Sequence, residues 1–202
     1  MTNEPLALAS IFREVFLFLT KRPDAVLFGA HAVNAYCEPE RMTQDVDVLS
    51  TNAAALAEDL RAHLAETFHV AVRVRAVGEV AFRIYQVRKP KNRHLVDVRQ
   101  VETLPPHVEI EGVRTVSALE LVAMKALSMS DRREREKGLS DRLDLHRLLR
   151  AFPDLRVADG PVADRLRALG APEAALAAWR EILLERIKPD DDGDDDDHDD
   201  HE

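Results

Sequence analysis

Asp45 and Asp47 stand two residues apart, with Val46 between them and Val48-Leu49 after them. On a strand, residues i and i+2 project from one face, so both carboxylates can converge on a cation while the valines enter a core. A hard cation such as Mg²⁺ takes carboxylate oxygens and a phosphate partner. A third carboxylate from a neighbouring strand would complete a site for two metals about 4 Å apart. Asp97, inside the β-type run His94-Leu95-Val96-Asp97-Val98, is the candidate. The competing readings are an edge strand whose acids face water and, for Asp97, a simple ion pair with Arg99. Upstream, Gly29 follows the apolar run Ala25-Val26-Leu27-Phe28 and opens a helical stretch. Backbone N–H groups at such a turn can hold a phosphate.

The elements that must position these groups follow from periodicity. Residues 6–19 repeat apolar positions at three- and four-residue spacing and predict a helix. Residues 25–28 form a buried strand, residues 30–36 a short helix stopped by Pro39, and residues 45–49 a strand with period-two alternation. A helix over 53–66 and β-type runs over 70–77, 80–87 and 94–98 come next, the last two flanking a basic loop at 88–93. A hairpin around Glu111-Gly112 precedes a helix that starts after Ser117, with Glu120 completing a capping box. Further helices are predicted over 140–150, 161–169 and 172–187. The fold class is α/β (α+β): a mixed sheet flanked by helices, then a C-terminal helical bundle. The expected division is 1–115 for the chemistry, 116–188 for the helical region and 189–202 for a disordered acidic tail.

Charge has to be read without that tail. Net charge is −9, but residues 190–202 carry ten of the 37 acidic side chains, leaving 27 acids against 28 bases. An acidic partner such as nucleic acid therefore stays open. The single cysteine, Cys37, excludes an internal disulfide and reads as inert core. No apolar run reaches the ~20 residues of a membrane span, so no membrane partner and a cytoplasmic location are expected. His31 reads as a packed or capping residue. His94 and His146 lack a ligand spacing to other histidines or cysteines, which argues against a zinc site.

Phe28-Gly29-Ala30, a fourteen-residue spacer, then Asp45-Val46-Asp47-Val48 resembles the signature of the polymerase-beta-like nucleotidyltransferase superfamily. Ala30 stands where Gly or Ser is more usual. The context Arg41-x-Thr43-x-Asp45-Val46-Asp47 is similar to minimal bacterial nucleotidyltransferases related to the AbiEii abortive-infection toxins. The stretch 119–149, LELVAMKALSMSDRREREKGLSDRLDLHRLL, resembles their paired C-terminal helices.

That resemblance implies a nucleotidyltransferase fold that moves a nucleoside monophosphate from an NTP to a hydroxyl of RNA, tRNA included, or of protein. It implies Mg²⁺ or Mn²⁺ on Asp45, Asp47 and Asp97, and nucleotide contacts from Gly29, Ala30, Arg41, Thr43, Lys125 and Asp144. Asp141 would pair with Asp144 on one helical face. It further implies a toxin with an antitoxin protein as partner. An aminoglycoside-type small-molecule nucleotidyltransferase and a non-catalytic nucleotide-binding module remain the alternatives. The residues alone also allow Lys125 to be a snorkelling surface lysine, and Asp141 and Asp144 to be the acidic first turn of a helix.

Overall fold

The computed structural model describes residues 7–186. The expected acidic tail at 189–202 lies outside those residues, as do both outer ends of the first and last predicted helices. Helix α1 (Leu8–Leu19) buries Ile11, Phe12, Val15 and Leu19, a three- and four-residue stripe that faces the core. It leads into β1 (Ala25–Phe28), α2 (Gly29–Asn34) and β2 (Val46–Ser50). In β2, Val46 and Val48 are fully buried while Asp47 lies on the other face, as the alternation requires.

Helix α3 (Ala53–Phe68) buries Ala53, Leu56, Ala57, Leu60 and Leu64 along one side. Strands β3 (Val72–Val77), β4 (Ala81–Gln86) and β5 (Arg93–Gln100) follow, and α3 covers one face of all three. The hairpin β6 (His107–Ile110) and β7 (Val113–Val116) completes a seven-stranded sheet of order β3-β4-β5-β2-β1-β7-β6. The sheet is mixed: β1–β7 and β2–β5 are parallel, the other pairs antiparallel.

Helices α4 (Ala118–Asp131), α5 (Glu136–Ala151), α6 (Pro161–Ala168) and α7 (Glu173–Leu184) pack together, with the 3-10 turn Pro153–Leu155 after α5. Both α4 and α5 also touch α2, which brings them against the sheet. One apolar cluster continues from α1 through β1, β2 and β5 to Trp179 and Ile182 on α7.

Two sequence expectations are corrected. Helix α5 starts at Glu136, before the expected Ser140. The charged run before Ser140 is rich in good helix formers, and Gly138 has no Cβ to collide with the Arg132 carbonyl. The capping box is half formed: the Ser117 hydroxyl accepts from the Glu120 N–H at 3.4 Å. The Glu120 carboxylate is drawn instead to a bidentate pair with Arg165 on α6, and the Ser117 N–H donates to the Pro106 carbonyl at 2.9 Å.

Candidate active site

Parallel pairing of β2 with β5 places Asp47 directly beside Asp97. Sequence reading anticipated that neighbour relation, but not what joins it. Between Ile84 and Tyr85 the β4–β5 register shifts, so Ile84 pairs with Val96 and Tyr85 with His94. The extra residue, Leu95, turns into the core at 1% exposure. A bulge of this kind reverses the alternation beyond it, and His94 thereby comes onto the face of Asp97. Its Nδ1 lies 3.0 Å from Asp45 Oδ2 and its Nε2 3.1 Å from Asp97 Oδ1.

Asp45, His94 and Asp97 each bring a ligand atom within 4.8 Å of the others. Two carboxylates and an imidazole that converge this closely, with Asp47 on the same face, are a donor set that fits a divalent cation. Carboxylate oxygens dominate it, which favours a hard ion. Asp97 is bonded by His94 and by Arg83 at 3.0 Å, so the arginine that pairs with it is Arg83 and not the Arg99 of the competing reading. Arg99 sits with its guanidinium 5.4 Å from the centre of the Phe28 ring.

Charge states follow from this packing. Burial pushes the Asp47 carboxyl up to about 6, with Asp45 and Asp97 adding repulsion against Arg99 and Lys125. Burial also opposes charge on Asp97, but His94 and then Arg83 outweigh it and hold that carboxyl below its usual value. Hydrogen bonds to Asp45 and Asp97 raise His94 to about 9, so at neutral pH it is an imidazolium bridging two carboxylates.

Gly29 shapes the wall behind Asp47. Its φ is +70°, and a Cβ there would overlap the Asp47 carboxylate. Only glycine meets both conditions without strain. Ala30, next along α2, is buried.

Helices α4 and α5, packed on α2, supply a second charge cluster whose Lys125 acts electrostatically on Asp47. Lys125 Nζ lies 2.7 Å from both Asp141 Oδ1 and Asp144 Oδ2. Arg41 clasps Asp144 through Nε at 2.6 Å and Nη2 at 2.8 Å. Asp144 is fully buried; its burial opposes charge, yet Arg41 and Lys125 hold the carboxyl below its ordinary value. Ser128 donates to Asp141 at 2.7 Å. Lys125 is therefore not a snorkelling side chain, and with α5 starting at Glu136 the aspartates lie beyond its first turn.

The segment between α2 and β2 is pinned by two side chains. Asn34 donates to the Arg41 carbonyl at 2.8 Å and accepts from the Arg41 N–H at 3.2 Å. Arg147 on α5 donates to Asn34, to the Cys37 carbonyl and to the Pro39 carbonyl. Thr43 donates to the Asp45 carbonyl at 3.2 Å, just ahead of the metal-ligand candidates. His31 is packed edge-on against Phe12 and Phe16, as a core histidine, and burial lowers it to about 4. The residues missed from sequence are His94, Arg83, Asn34 and Arg147.

A family model described as "Nucleotidyl transferase AbiEii toxin, Type IV TA system" matches residues 11–198. The chain belongs to this family and is a nucleotidyltransferase. The match extends well past the stretches between Phe28 and Leu149 that carry the sequence resemblance. No curated protein sequence is similar enough to count as a match.

Solved structures share the fold. The Megavirus polyadenylate synthase has a TM-score of 0.59 at 15% identity, covering 72% of this chain and 32% of its own. This chain thus spans about a third of that enzyme. JHP933 from Helicobacter pylori has a TM-score of 0.59 at 16% identity, covering 85% of this chain and 76% of its own. Among the described residues, no helix is long and apolar enough to cross a membrane.

Proposed function

We propose that this chain transfers a nucleoside monophosphate from an NTP to a hydroxyl of an RNA acceptor, tRNA included, and acts as the toxin of a pair with an antitoxin protein. The observation that carries the reading is the convergence of Asp45 and Asp97 on one point beside Asp47 in a member of the AbiEii family. Asp45, Asp47 and Asp97 would hold Mg²⁺ or Mn²⁺, with His94 withdrawing or joining them. Bound there, the ion would supply charge neutralisation for the triphosphate and a lower pKa for the acceptor hydroxyl.

The chain's own groups divide the remaining work. Asp97, charged at neutral pH, would take the acceptor's proton. The new bond joins the acceptor oxygen to the α-phosphorus, the α–β phosphoanhydride breaks, and pyrophosphate leaves. Lys125 and Arg41 are cations held by Asp144 within electrostatic reach of Asp47, and a triphosphate would compete with Asp141 and Asp144 for them. Gly29 and Ala30 would bring backbone close to phosphate, while Thr43 holds the segment that ends in Asp45. In this reading the strands up to residue 115 carry the chemistry, and α4 and α5 lend it Lys125 and Asp144. A cytoplasmic location accords with a single, unpaired, buried cysteine.

The test is incubation with Mg²⁺, each α-labelled NTP in turn, and a panel of total tRNA, other RNA, protein and aminoglycoside. Label on an RNA band that disappears in Asp45→Ala supports the reading. Label confined to protein or drug moves the acceptor assignment, and identical behaviour of wild type and variant removes the catalytic one.

A further inference from the structure

The sheet face that carries Asp47 and Asp97 continues sideways across β4 to the edge strand β3. Cross-strand registers define two rows on it. One row runs Asp47, Asp97, Arg83, Arg75. The other runs His94, Tyr85, Arg73 and begins at the ion pair of Asp45 with His94. Helix α3 covers the opposite face, where Val72, Val74, Phe82 and Ile84 pack.

On the open side Arg73 and Arg75 are exposed and make no hydrogen bond or ion pair among the described residues, and Arg83 is 42% exposed. Arg75 stands directly opposite Arg83. Like charges directly opposed on a sheet destabilise it. Charged side chains protect an edge strand from unwanted pairing, but that role does not call for an arginine set directly opposite another. A polyanion laid across both arginines would turn the repulsion into attraction.

We infer that the open face of β3–β4 is the track for the phosphate backbone of the RNA acceptor, leading its terminal hydroxyl to Asp45, Asp47 and Asp97. This rests on the RNA-acceptor reading above and assigns its binding surface. From β2 to β3 is three strand spacings, about 14 Å, so Arg73 and Arg75 would meet phosphates a few nucleotides from the reacting end. Tyr85, half-buried beside His94 with ring centres 5.1 Å apart, offers an aromatic surface between the two ends of the row. Exposed Arg88, Lys89 and Lys91 in the β4–β5 loop extend the positive surface at the His94 end.

The experiment compares wild type with Arg73→Glu/Arg75→Glu and Arg73→Gln/Arg75→Gln by fluorescence anisotropy. The probes are a labelled single-stranded RNA twelve-mer and a tRNA transcript, at several salt concentrations. Circular dichroism and binding of labelled NTP serve as fold and nucleotide-site controls. The expected result is Kd weakened at least tenfold by the Glu pair and less by the Gln pair. The salt slope should also be smaller by about 1.5 for the Gln pair, near 0.7–0.9 per lost phosphate contact. NTP binding should be unchanged. Kd and slope within twofold of wild type for both RNAs overturn the inference, as does a wild type that binds neither RNA yet transfers label to protein or a small molecule. RNA binding that depends on Arg73 and Arg75 in a protein that transfers no label upholds the track and overturns the catalytic reading instead.

Discussion

Gly29 leaves the space that the Asp47 carboxylate occupies: β1 ends beside Asp47, and a side chain at residue 29 would overlap that carboxylate. The glycine of the strand-to-helix turn and the second aspartate of the pair are thus one packing unit. Gly29→Ala is expected to destabilise the protein by about 1–3 kcal/mol, from the positive φ and the overlap together, and to lower transfer activity at least a hundredfold by moving Asp47. Urea denaturation and a transfer assay check this. Adding Asp47→Ala to Gly29→Ala should recover part of the stability and none of the activity.

Asp47 should cost stability when no divalent ion is present. Its folded-state carboxyl, near 6, lies above the unfolded value of about 3.9. The folded state therefore holds the proton more tightly, and stability falls as pH rises from about 4 through 6. Above that window the penalty is complete, on the order of 3 kcal/mol. In EDTA, Asp47→Asn should be more stable than wild type at pH 7.5, with the gap closing towards pH 4. A gap that does not change with pH, or a less stable variant, contradicts the assignment.

His94 titrates in the opposite sense. Its folded value, about 9, is above the unfolded value near 6.5, so its contribution to stability is complete below 6.5 and is lost as pH rises through 9. Because the imidazolium bridges Asp45 and Asp97, a divalent ion must displace or deprotonate it. Apparent Mg²⁺ affinity should rise between pH 7 and 9 in wild type and flatten in His94→Gln. Calorimetry in buffers of different ionisation enthalpy measures the released proton.

Asp144 is the structural anchor of the charge cluster on α4 and α5. Asp144→Ala leaves Arg41 and Lys125 without their shared carboxylate in a buried setting, a loss of about 3–5 kcal/mol. Asp45→Asn, on a side chain still 30% exposed, should change stability far less while removing activity. Thermal melts and transfer assays on the two variants separate the roles.

Much of this site could be read from sequence because its parts are local. The order strand, Gly29, helix, then Asp-Val-Asp lies within 23 residues, and period-two alternation assigns faces to Asp47 and Val48 directly. Asp97 was accessible because Val96 and Val98 flank it, on the side of the bulge where the pairing with β2 and β4 keeps its register. His94 was not: strict alternation puts residues three apart on opposite faces, and only the bulge at Leu95 reverses this. The clasp of Arg41 on Asp144 joins residues 103 apart in the chain, and no periodicity reports such a pair. Glu120 obeyed its local signature only in part, because a bidentate arginine on α6 offered its carboxylate a stronger partner than one backbone N–H.

In the proposed reaction the carboxylates of Asp45, Asp47 and Asp97 direct attack on the α-phosphate of an NTP. The most direct measurement supplies the protein and Mg²⁺ with the same NTP labelled either at the α- or at the γ-phosphate, together with total tRNA. The α-label should enter an acceptor, the γ-label should appear only in pyrophosphate, and Asp45→Asn and Asp47→Asn should each reduce both signals at least a hundredfold. Label from the γ-position on the acceptor, or transfer that persists in both variants, would contradict it.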